Sequence, residues 1–329
     1  MKEKDIRPRQ VFDEYLALSV EDIHTYFDDP AMFVEVACPA CADMGYHPSF
    51  EKYGFHYVVC ARCGTLYANP RPSAALLETY YAEGKAPQFW NDHFFRSTAH
   101  VRREKIFIPR ARRLGELMAE VPEARYETLV DIGAGFGIFL DVMREQGMFQ
   151  QVIGIEPNPY LAETCRQKGF AIIEKPVEGV AEAEVRADVA TCFEVLEHVF
   201  DPLGFLQAGR RILRPGGLLV FTTLTISGFD LQVLWERARG IHPPHHLNFI
   251  SVDGFRRLLR RSGLELIRLL TPGELDLDIV RNYAAEHPEY ELPRFVGEIL
   301  SRPAEAQADF QAFLRCHLLS SHLWGVARA

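Results

Sequence analysis

Short apolar runs alternate with longer amphipathic stretches over the second half of the chain. The runs are TLVDI, QVIGIE, FAII, DVATCF and LLVFTTL, beginning at Thr128. Runs of this kind, bounded by turn residues, are typical of strands buried on both faces, and the stretches between them are long enough to form crossover helices. The pattern therefore predicts an α/β fold, a parallel sheet with helices on both faces. Two further strands are expected, at LELIRLL and near HLWGVAR.

The first part of the chain follows a different pattern. Apolar and acidic positions alternate at helical spacing before the first cysteine, and Pro70 and Pro72 forbid a helix that would continue past residue 72. The chain then returns to a helical pattern rich in aromatic and arginine residues. The predicted order is a helical lead-in (1–36), a compact module (37–72), a helical connector (73–124) and an α/β domain (125–329) with a charged helical insertion at about 274–315.

Composition and charge narrow the class of protein. The chain has 329 residues, 48% of them hydrophobic, which is enough for one large core and a smaller module. Its formal net charge of -9 argues against a broad surface for nucleic acid. Six of the first ten residues are charged, and no run approaches the roughly 20 apolar residues of a membrane span. We expect a cytoplasmic protein with no membrane span.

A glycine-rich loop follows the first predicted strand. The segment VDIGAGFGIFL places Gly133, Gly135 and Gly137 between that strand and a helix, with Asp131 just before them. Glycines there let the backbone turn sharply and approach a ligand closely. A dinucleotide fingerprint would need its third glycine where Ile138 stands.

The next predicted strand ends in Glu156, about 20 residues further on. A carboxylate at that position can accept two hydrogen bonds from a ribose diol. The glycine loop and Glu156 together favour a nucleoside ligand.

These segments, taken with DVATCFEVLEHVFDP and RILRPGGLLVFTTL, resemble the class I S-adenosylmethionine-dependent methyltransferases in order and spacing. The resemblance covers roughly residues 125 to 270. It implies a Rossmann-like methyltransferase sheet and an enzyme that transfers the methyl group of S-adenosylmethionine. The cofactor residues that it implies are Asp131, Gly133, Gly135 and Gly137 around the methionine moiety, Glu156 at the ribose, Val177 and Glu178 at the adenine edge, and Phe193 and Glu194 beside the sulfonium.

Four of the seven cysteines form two closely spaced pairs. Cys38, Cys41, Cys60 and Cys63 give the pattern C-x2-C-x18-C-x2-C, which fits two knuckles converging on one tetrahedral Zn²⁺. The alternating run KYGFHYVV between them predicts the hairpin of a zinc ribbon. Four thiolates leave no open coordination position, so this zinc is expected to be structural.

The ribbon segment also resembles those of bacterial methyltransferases of surface-polysaccharide and secondary-metabolite pathways, including the deoxysugar C-methyltransferases. The resemblance rests on CPAC, CARC and the following GTLYANPRPSAALLETYY. It favours a sugar, nucleotide-sugar or related small metabolite as acceptor, and the leading expectation is methylation of a hydroxyl oxygen of such a molecule. Three alternatives stay open: methylation of a sugar carbon, methylation of RNA gripped by the ribbon, and binding without catalysis.

The acceptor side offers two groups of candidate residues. The loop GIHPPHHLNFIS carries His242, His245 and His246, any of which could act as a general base, or simply shape the loop. The arginine-rich connector between residues 96 and 113 is interpreted as a solvated helix face or as a clamp for a diphosphate or acidic sugar.

A second metal site is a further hypothesis. Glu194, Glu197 and His198 form an E-x-x-E-H motif, which with a histidine of the later loop could hold Mg²⁺ or Mn²⁺. The motif resembles that of metal-assisted O-methyltransferases, including the ubiquinone-pathway enzymes and the small-RNA terminal methylases. Metal binding, a purely basic role for Glu194, His198 or the loop histidines, and a structural role all remain open at this stage.

Overall fold

The computed structural model describes residues 8–121 and 125–329. Within this part, the lead-in is helix α1, Arg9–Tyr26, followed by a 3₁₀ turn at Pro30–Met32. Residues 1–7, the start of the expected lead-in, and residues 122–124, the end of the expected connector, lie outside the described residues. The proposed domain boundaries near residues 36, 72 and 124 stay predictions.

The cysteine segment folds into short antiparallel strands. They are β1 (Phe33–Val34), β2 (Tyr46–Lys52), β3 (Phe55–Cys60), β4 (Leu66–Ala68) and β5 (Arg71–Pro72). The expected hairpin is formed by β2 and β3, and the chain reverses at Tyr53 and Gly54, both of which have a positive φ. One cysteine pair precedes β2 and the other begins at Cys60, the last residue of β3, so the hairpin brings the two pairs to the same end.

The connector is helical, as its pattern predicts. Its helices are α2 (Ala74–Glu83), α3 (Lys85–Phe89), α4 (Arg96–Arg102) and α5 (Ile108–Ala119), with π-helical segments at Trp90–Phe95 and Arg103–Phe107. Ser73 caps α2 by accepting a hydrogen bond from the Leu76 amide. α5 buries one apolar face, including Leu114 and Met118, against the sheet that follows.

Seven of the eight strands of the second half lie at the predicted apolar runs, and the strand Asn248–Phe249 is an additional one that the pattern did not predict. The eight are β6 (Thr128–Ile132), β7 (Gln151–Ile155), β8 (Ala171–Ile173), β9 (Ala187–Phe193), β10 (Leu213–Leu224), β11 (Asn248–Phe249), β12 (Glu265–Leu270) and β13 (His322–Arg328). Seven of them form one sheet in the order β12-β13-β10-β9-β6-β7-β8. β6 to β10 pair in parallel, and β13 is antiparallel to both of its neighbours. The expected α/β fold is confirmed.

Helices connect these strands and complete the layers. They are α6 (Ile138–Gln146), α7 (Pro159–Gln167), α8 (Pro202–Arg211), α9 (Phe229–Leu234), α10 (Val252–Ser262), α11 (Asp276–Glu286), α12 (Arg294–Ser301) and α13 (Ala304–Cys316). The last three account for the expected helical insertion between β12 and β13.

Two features of the topology position the site. The strand order reverses at β6, where the chain runs outward to β7 and β8 and then returns to β9, and ligands of open α/β sheets bind at such a switch point, beyond the carboxyl ends of the strands. The second feature, which the sequence pattern did not predict, is that β11 joins the ribbon sheet, in the order β11-β4-β3-β2. The core is correspondingly continuous, because Val58 and Tyr67 of the ribbon belong to one apolar cluster with Val130 and Leu219.

Candidate cofactor and metal site

The glycine loop lies at the carboxyl end of β6. All three of its predicted glycines have a positive φ, which residues with side chains rarely adopt. A Cβ at Gly133 or Gly137 would come within 2.9 Å of a protein side chain, whereas one at Gly135 would meet nothing within 4 Å. The packing of the protein therefore explains two of the glycines, and the space beside Gly135 is open to a ligand.

Glu156 ties the next strand end to this loop. Its Oε2 accepts a hydrogen bond from the Gly135 amide at 2.8 Å, and its Oε1 accepts one from the Asn158 amide at 3.0 Å. The side chain is buried, which raises its pKa. The carboxylate is thus fixed at the open side of the glycine loop, with lone pairs left to accept hydrogen bonds from a diol.

Asp131 is the acidic residue of β6 and lies one position before the end of the strand. Its Oδ1 accepts a hydrogen bond from the Thr191 hydroxyl at 2.7 Å, and burial raises its pKa to about 7. The adenine-edge candidates Val177 and Glu178 begin a 3₁₀ turn after β8, with Val177 buried and Glu178 exposed. Asp131, Val177 and Glu178 thus all lie at or just beyond the carboxyl ends of strands on the β6–β8 side of the switch point.

Glu194 follows Phe193, the last residue of β9, in a left-handed backbone conformation with φ of 55°. Its Oε1 accepts hydrogen bonds from Arg110 Nη2 at 2.7 Å and from the Thr222 hydroxyl at 2.6 Å. Burial acts to raise its pKa, but the nearby His322 and Arg110 outweigh burial and lower it to about 2. Glu194 is therefore an ionised carboxylate already engaged by a guanidinium.

A group of three potential metal ligands forms beside it: Glu197, His198 and His246 each offer one ligand atom, and these atoms all lie within 4.8 Å of one another. Glu194, which belongs to the expected set of Glu194, Glu197 and His198, is not part of this group. Its Oε1 is paired with Arg110, and the loop histidine His246 is the third potential ligand.

The hydrogen bonds of the two imidazoles suit metal binding. His198 Nδ1 lies 2.8 Å from the carbonyl oxygen of His245, and His246 Nδ1 lies 2.5 Å from that of Gly240. A carbonyl only accepts, so each Nδ1 is the donor and each neutral ring keeps a lone pair on Nε2. Oε2 of Glu197 accepts a hydrogen bond from the Thr223 hydroxyl at 2.7 Å, which orients its carboxylate.

The other two loop histidines lie in the interior, each only 5% exposed. His245 Nε2 is 2.6 Å from the hydroxyl of Tyr80, on α2, and 3.3 Å from that of Ser19, on α1. His242 packs against the rings of Tyr15 and Tyr53, and burial lowers its pKa to about 3. The structure thus brings His246, and not His242 or His245, into the Glu197 group.

The four paired cysteines converge as their spacing predicts. Their Sγ atoms all lie within 4.8 Å of one another, with separations of 3.6 Å for Cys38–Cys63 and 3.5 Å for Cys41–Cys60. A tetrahedral ion with zinc–sulfur bonds of about 2.3 Å needs an edge of about 3.8 Å, so the cluster fits Zn²⁺ closely. Cys165, Cys192 and Cys316 are not part of the cluster.

Sequence reasoning missed three partners of Glu194: Arg110, Thr222 and His322. Arg110 lies in the arginine-rich connector, but nothing in the pattern distinguishes it from the less buried arginines around it, such as Arg112. The fold places Arg110 beside Glu194 at the end of β9. The Arg110 guanidinium carbon also lies 5.7 Å from the centre of the Phe107 ring and 5.1 Å from that of Phe193, and the side chain is buried between these contacts.

Comparison with known proteins gives the family. A family model described as a methyltransferase domain matches residues 99–269, more than half of the chain. A ubiquinone biosynthesis O-methyltransferase of Cereibacter sphaeroides is 34% identical over 152 residues, which cover 42% of this chain and 60% of that protein. The enzyme of the same name from Methylococcus capsulatus is 30% identical over 152 residues, covering 42% and 62%. The chain thus spans about three fifths of the length of the curated relatives that it matches.

Solved structures are similar over a larger part of the chain. An S-adenosylmethionine-dependent methyltransferase from Archaeoglobus fulgidus matches 72% of this chain and 100% of its own, with 16% identity and a TM-score of 0.48. One from Mesorhizobium loti matches 69% and 100%, with 18% identity and a TM-score of 0.44.

These comparisons and the structure also bear on the expected pathway and on the expected absence of a membrane span. Both O-methyltransferases are named for ubiquinone biosynthesis, and neither name supports the expected link to polysaccharide biosynthesis. Across residues 8–121 and 125–329, no helix is long and apolar enough to cross a membrane.

The matched domain, the sheet and the glycine loop agree on one conclusion: the chain belongs to the class I S-adenosylmethionine-dependent methyltransferases.

Proposed function

We propose that this enzyme methylates a hydroxyl oxygen of a small molecule and that Glu197, His198 and His246 hold a divalent cation beside that hydroxyl. The observation that carries the proposal is the convergence of these three ligand atoms, with both imidazoles held in the tautomer that ligates through Nε2. Mixed carboxylate and imidazole ligands suit Mn²⁺ and, with added waters, Mg²⁺. When bound, such a cation lowers the pKa of a coordinated hydroxyl and orients its oxygen.

The cofactor is proposed to lie along the glycine loop, with its methionine moiety near Asp131 and Gly135 and its ribose at Glu156. Glu194 and Phe193 would then border the sulfonium from the end of β9. The hydroxyl oxygen forms a bond to the methyl carbon as the carbon–sulfur bond breaks, the electron pair of that bond stays on sulfur, and the hydroxyl proton passes to water, which leaves the methyl ether and S-adenosylhomocysteine. Since the sulfonium methyl is already activated, the main task of the protein is to align oxygen, carbon and sulfur.

The acceptor is proposed to be a phenol or catechol. A phenolic hydroxyl has an ordinary pKa of about 10 and loses its proton far more readily than an alcohol when a cation binds it. The O-methyltransferase names of the relatives support oxygen over carbon as the acceptor atom. The sugar hydroxyl suggested by the ribbon remains the competing acceptor.

The experiment is an assay of S-adenosylhomocysteine formation by purified protein. Catechols such as 3,4-dihydroxybenzoate are compared with nucleotide sugars, each with added Mg²⁺ or Mn²⁺ and after chelation. We expect turnover of a catechol that requires the cation and is lost in His246→Ala but kept in His56→Ala, a change of an exposed histidine. Turnover of the true acceptor that survives both chelation and His246→Ala would overturn the metal role, and turnover of the sugars alone would overturn the acceptor class.

A further inference from the structure

The ribbon sheet is completed by a strand from the catalytic half of the chain. β11 pairs with β4 in antiparallel register, with Asn248 opposite Tyr67 and Phe249 opposite Leu66. The Ala68 amide extends this ladder by donating to the carbonyl of Leu247 at 2.9 Å. The paired segment therefore begins one residue after His246.

The ribbon also holds His246 itself. The hydroxyl of Tyr57, on β3 between the two cysteine pairs, donates a hydrogen bond to the backbone carbonyl of His246 at 2.7 Å. Tyr57 is 1% exposed, and its ring stacks on Phe50 at 5.2 Å and contacts Phe249 at 6.3 Å. The bond is thus rigidly supported from the ribbon side.

A second set of contacts joins the same strand to the loop that carries Glu197 and His198. The backbone amides of Leu247 and Asn248 donate to the carbonyl of Glu197, at 2.8 and 3.2 Å. The Asn248 side chain donates to the carbonyls of Leu196 and Val199 at either end of this pair.

A buried arginine of the ribbon fixes that asparagine. Arg71, 1% exposed, donates from Nη2 to Asn248 Oδ1 at 3.1 Å and from Nη1 to the Phe200 carbonyl at 2.8 Å. The two loops that supply the three ligands are consequently clamped together by residues that follow the cysteine cluster.

The cysteine knuckle makes direct contact as well. The hydroxyl of Ser251, which caps α10, donates to the Cys63 carbonyl, and the Ser251 amide donates to the Thr65 hydroxyl at 3.3 Å. From the other knuckle, the Ala40 carbonyl accepts a hydrogen bond from Arg261 at 2.8 Å. The cluster of four cysteines is therefore braced against the helix that follows β11.

We propose that the cysteine ribbon is a positioning element of the methyl-transfer site, and that Tyr57 is the positioning residue that fixes His246 relative to Glu197 and His198. The proposal rests on the proposed function for the identity of the ligand group. It gives the ribbon a role inside the enzyme, in place of a separate grip on nucleic acid. Loss of the ion at the four cysteines would loosen His246 while leaving the glycine loop, at the ends of other strands, in place.

The test compares Tyr57→Phe with Tyr67→Phe. Both changes remove one buried hydroxyl from the same small sheet, but among the described residues the Tyr67 hydroxyl has no hydrogen-bond partner. Each variant is first checked for one zinc per chain and for unchanged affinity for S-adenosylhomocysteine. Mn²⁺ affinity is then measured by electron paramagnetic resonance, and amide exchange by mass spectrometry.

We expect Mn²⁺ to bind about tenfold more weakly to Tyr57→Phe, as is typical when a supporting contact of a ligand is lost, and unchanged to Tyr67→Phe. Exchange should rise in residues 242–251 of Tyr57→Phe, while residues 128–137 stay protected. Equal Mn²⁺ affinity and equal exchange in the two variants would overturn the proposal.

A parent protein that binds no Mn²⁺ would contradict the proposed metal role. The comparison of amide exchange would then decide by itself whether Tyr57 positions His246.

A second measurement covers the case in which Tyr57→Phe fails to fold. Zinc is removed from the parent with a thiol-directed mercurial, and loss of protection confined to residues 242–251 and the ribbon supports the proposal. Uniform loss across the chain, or none in residues 242–251, contradicts it.

Discussion

Glu156→Gln is expected to weaken cofactor binding because the carboxylate does two things at once. It accepts the amides of Gly135 and Asn158 through different oxygens, and it faces the open side of the glycine loop. Glutamine keeps the size but has one acceptor oxygen, so its NH₂ group must face one of the two backbone donors. It also removes the charge that strengthens a hydrogen bond from the ribose hydroxyls.

The size of the effect follows from the bonds that are lost. A hydrogen bond to a charged group contributes about 1.5–3 kcal/mol. At about 1.4 kcal/mol per tenfold change, the Kd for S-adenosylhomocysteine should rise about 10- to 150-fold. Isothermal titration calorimetry measures it directly, and Glu163→Gln, an exposed change on α7, is the matched control. A Kd within threefold of the parent value in folded Glu156→Gln would refute the placement of the ribose.

Three further predictions concern the metal sites and stability. Purified protein should carry about one zinc per chain, and Cys63→Ser should lose it; metal analysis that finds no zinc in freshly reduced parent protein would contradict the ribbon. Burial raises the pKa of Asp131 from 3.8 to about 7, so ionisation of this carboxylate progressively destabilises the fold as the pH rises from about 4 to 7. Asp131→Asn should therefore stabilise the protein against urea more at pH 8 than at pH 5, and an equal effect at the two pH values would argue against it. His246→Ala should lower turnover by about 10²-fold or more without changing cofactor affinity, because it removes a ligand of the proposed cation, whereas the same rate in His246→Ala and the parent would contradict the metal role of His246.

The sequence predicted those parts of the fold that local pattern determines. Continuous apolar runs locate β6 to β10, because strands buried on both faces have no polar alternation. The glycine loop and Glu156 could also be located, because each lies at or just after the end of a predicted strand and the two are about 20 positions apart. Cysteine spacing alone indicated a metal cluster.

Contacts made between distant segments could not be predicted in the same way. E-x-x-E-H places Glu194 near Glu197 and His198 along the chain, but Glu194 forms its ion pair with Arg110, from a helix 84 positions earlier. Likewise, three neighbouring histidines look equivalent in sequence. The fold separates them: His246 joins Glu197 and His198, whereas His242 and His245 are buried beside Tyr15 and Tyr80.

Detection of the nitrogen atoms that coordinate bound Mn²⁺ tests most directly whether His198 and His246 hold the cation. Electron spin-echo envelope modulation of the parent protein, with Mn²⁺ and S-adenosylhomocysteine bound, should show modulation from imidazole nitrogens of His198 and His246. In His246→Ala, the modulation should weaken and Mn²⁺ affinity should fall. Mn²⁺ that binds without any imidazole modulation, or with the same modulation and affinity in His246→Ala, would contradict a metal-assisted methyl transfer at this group.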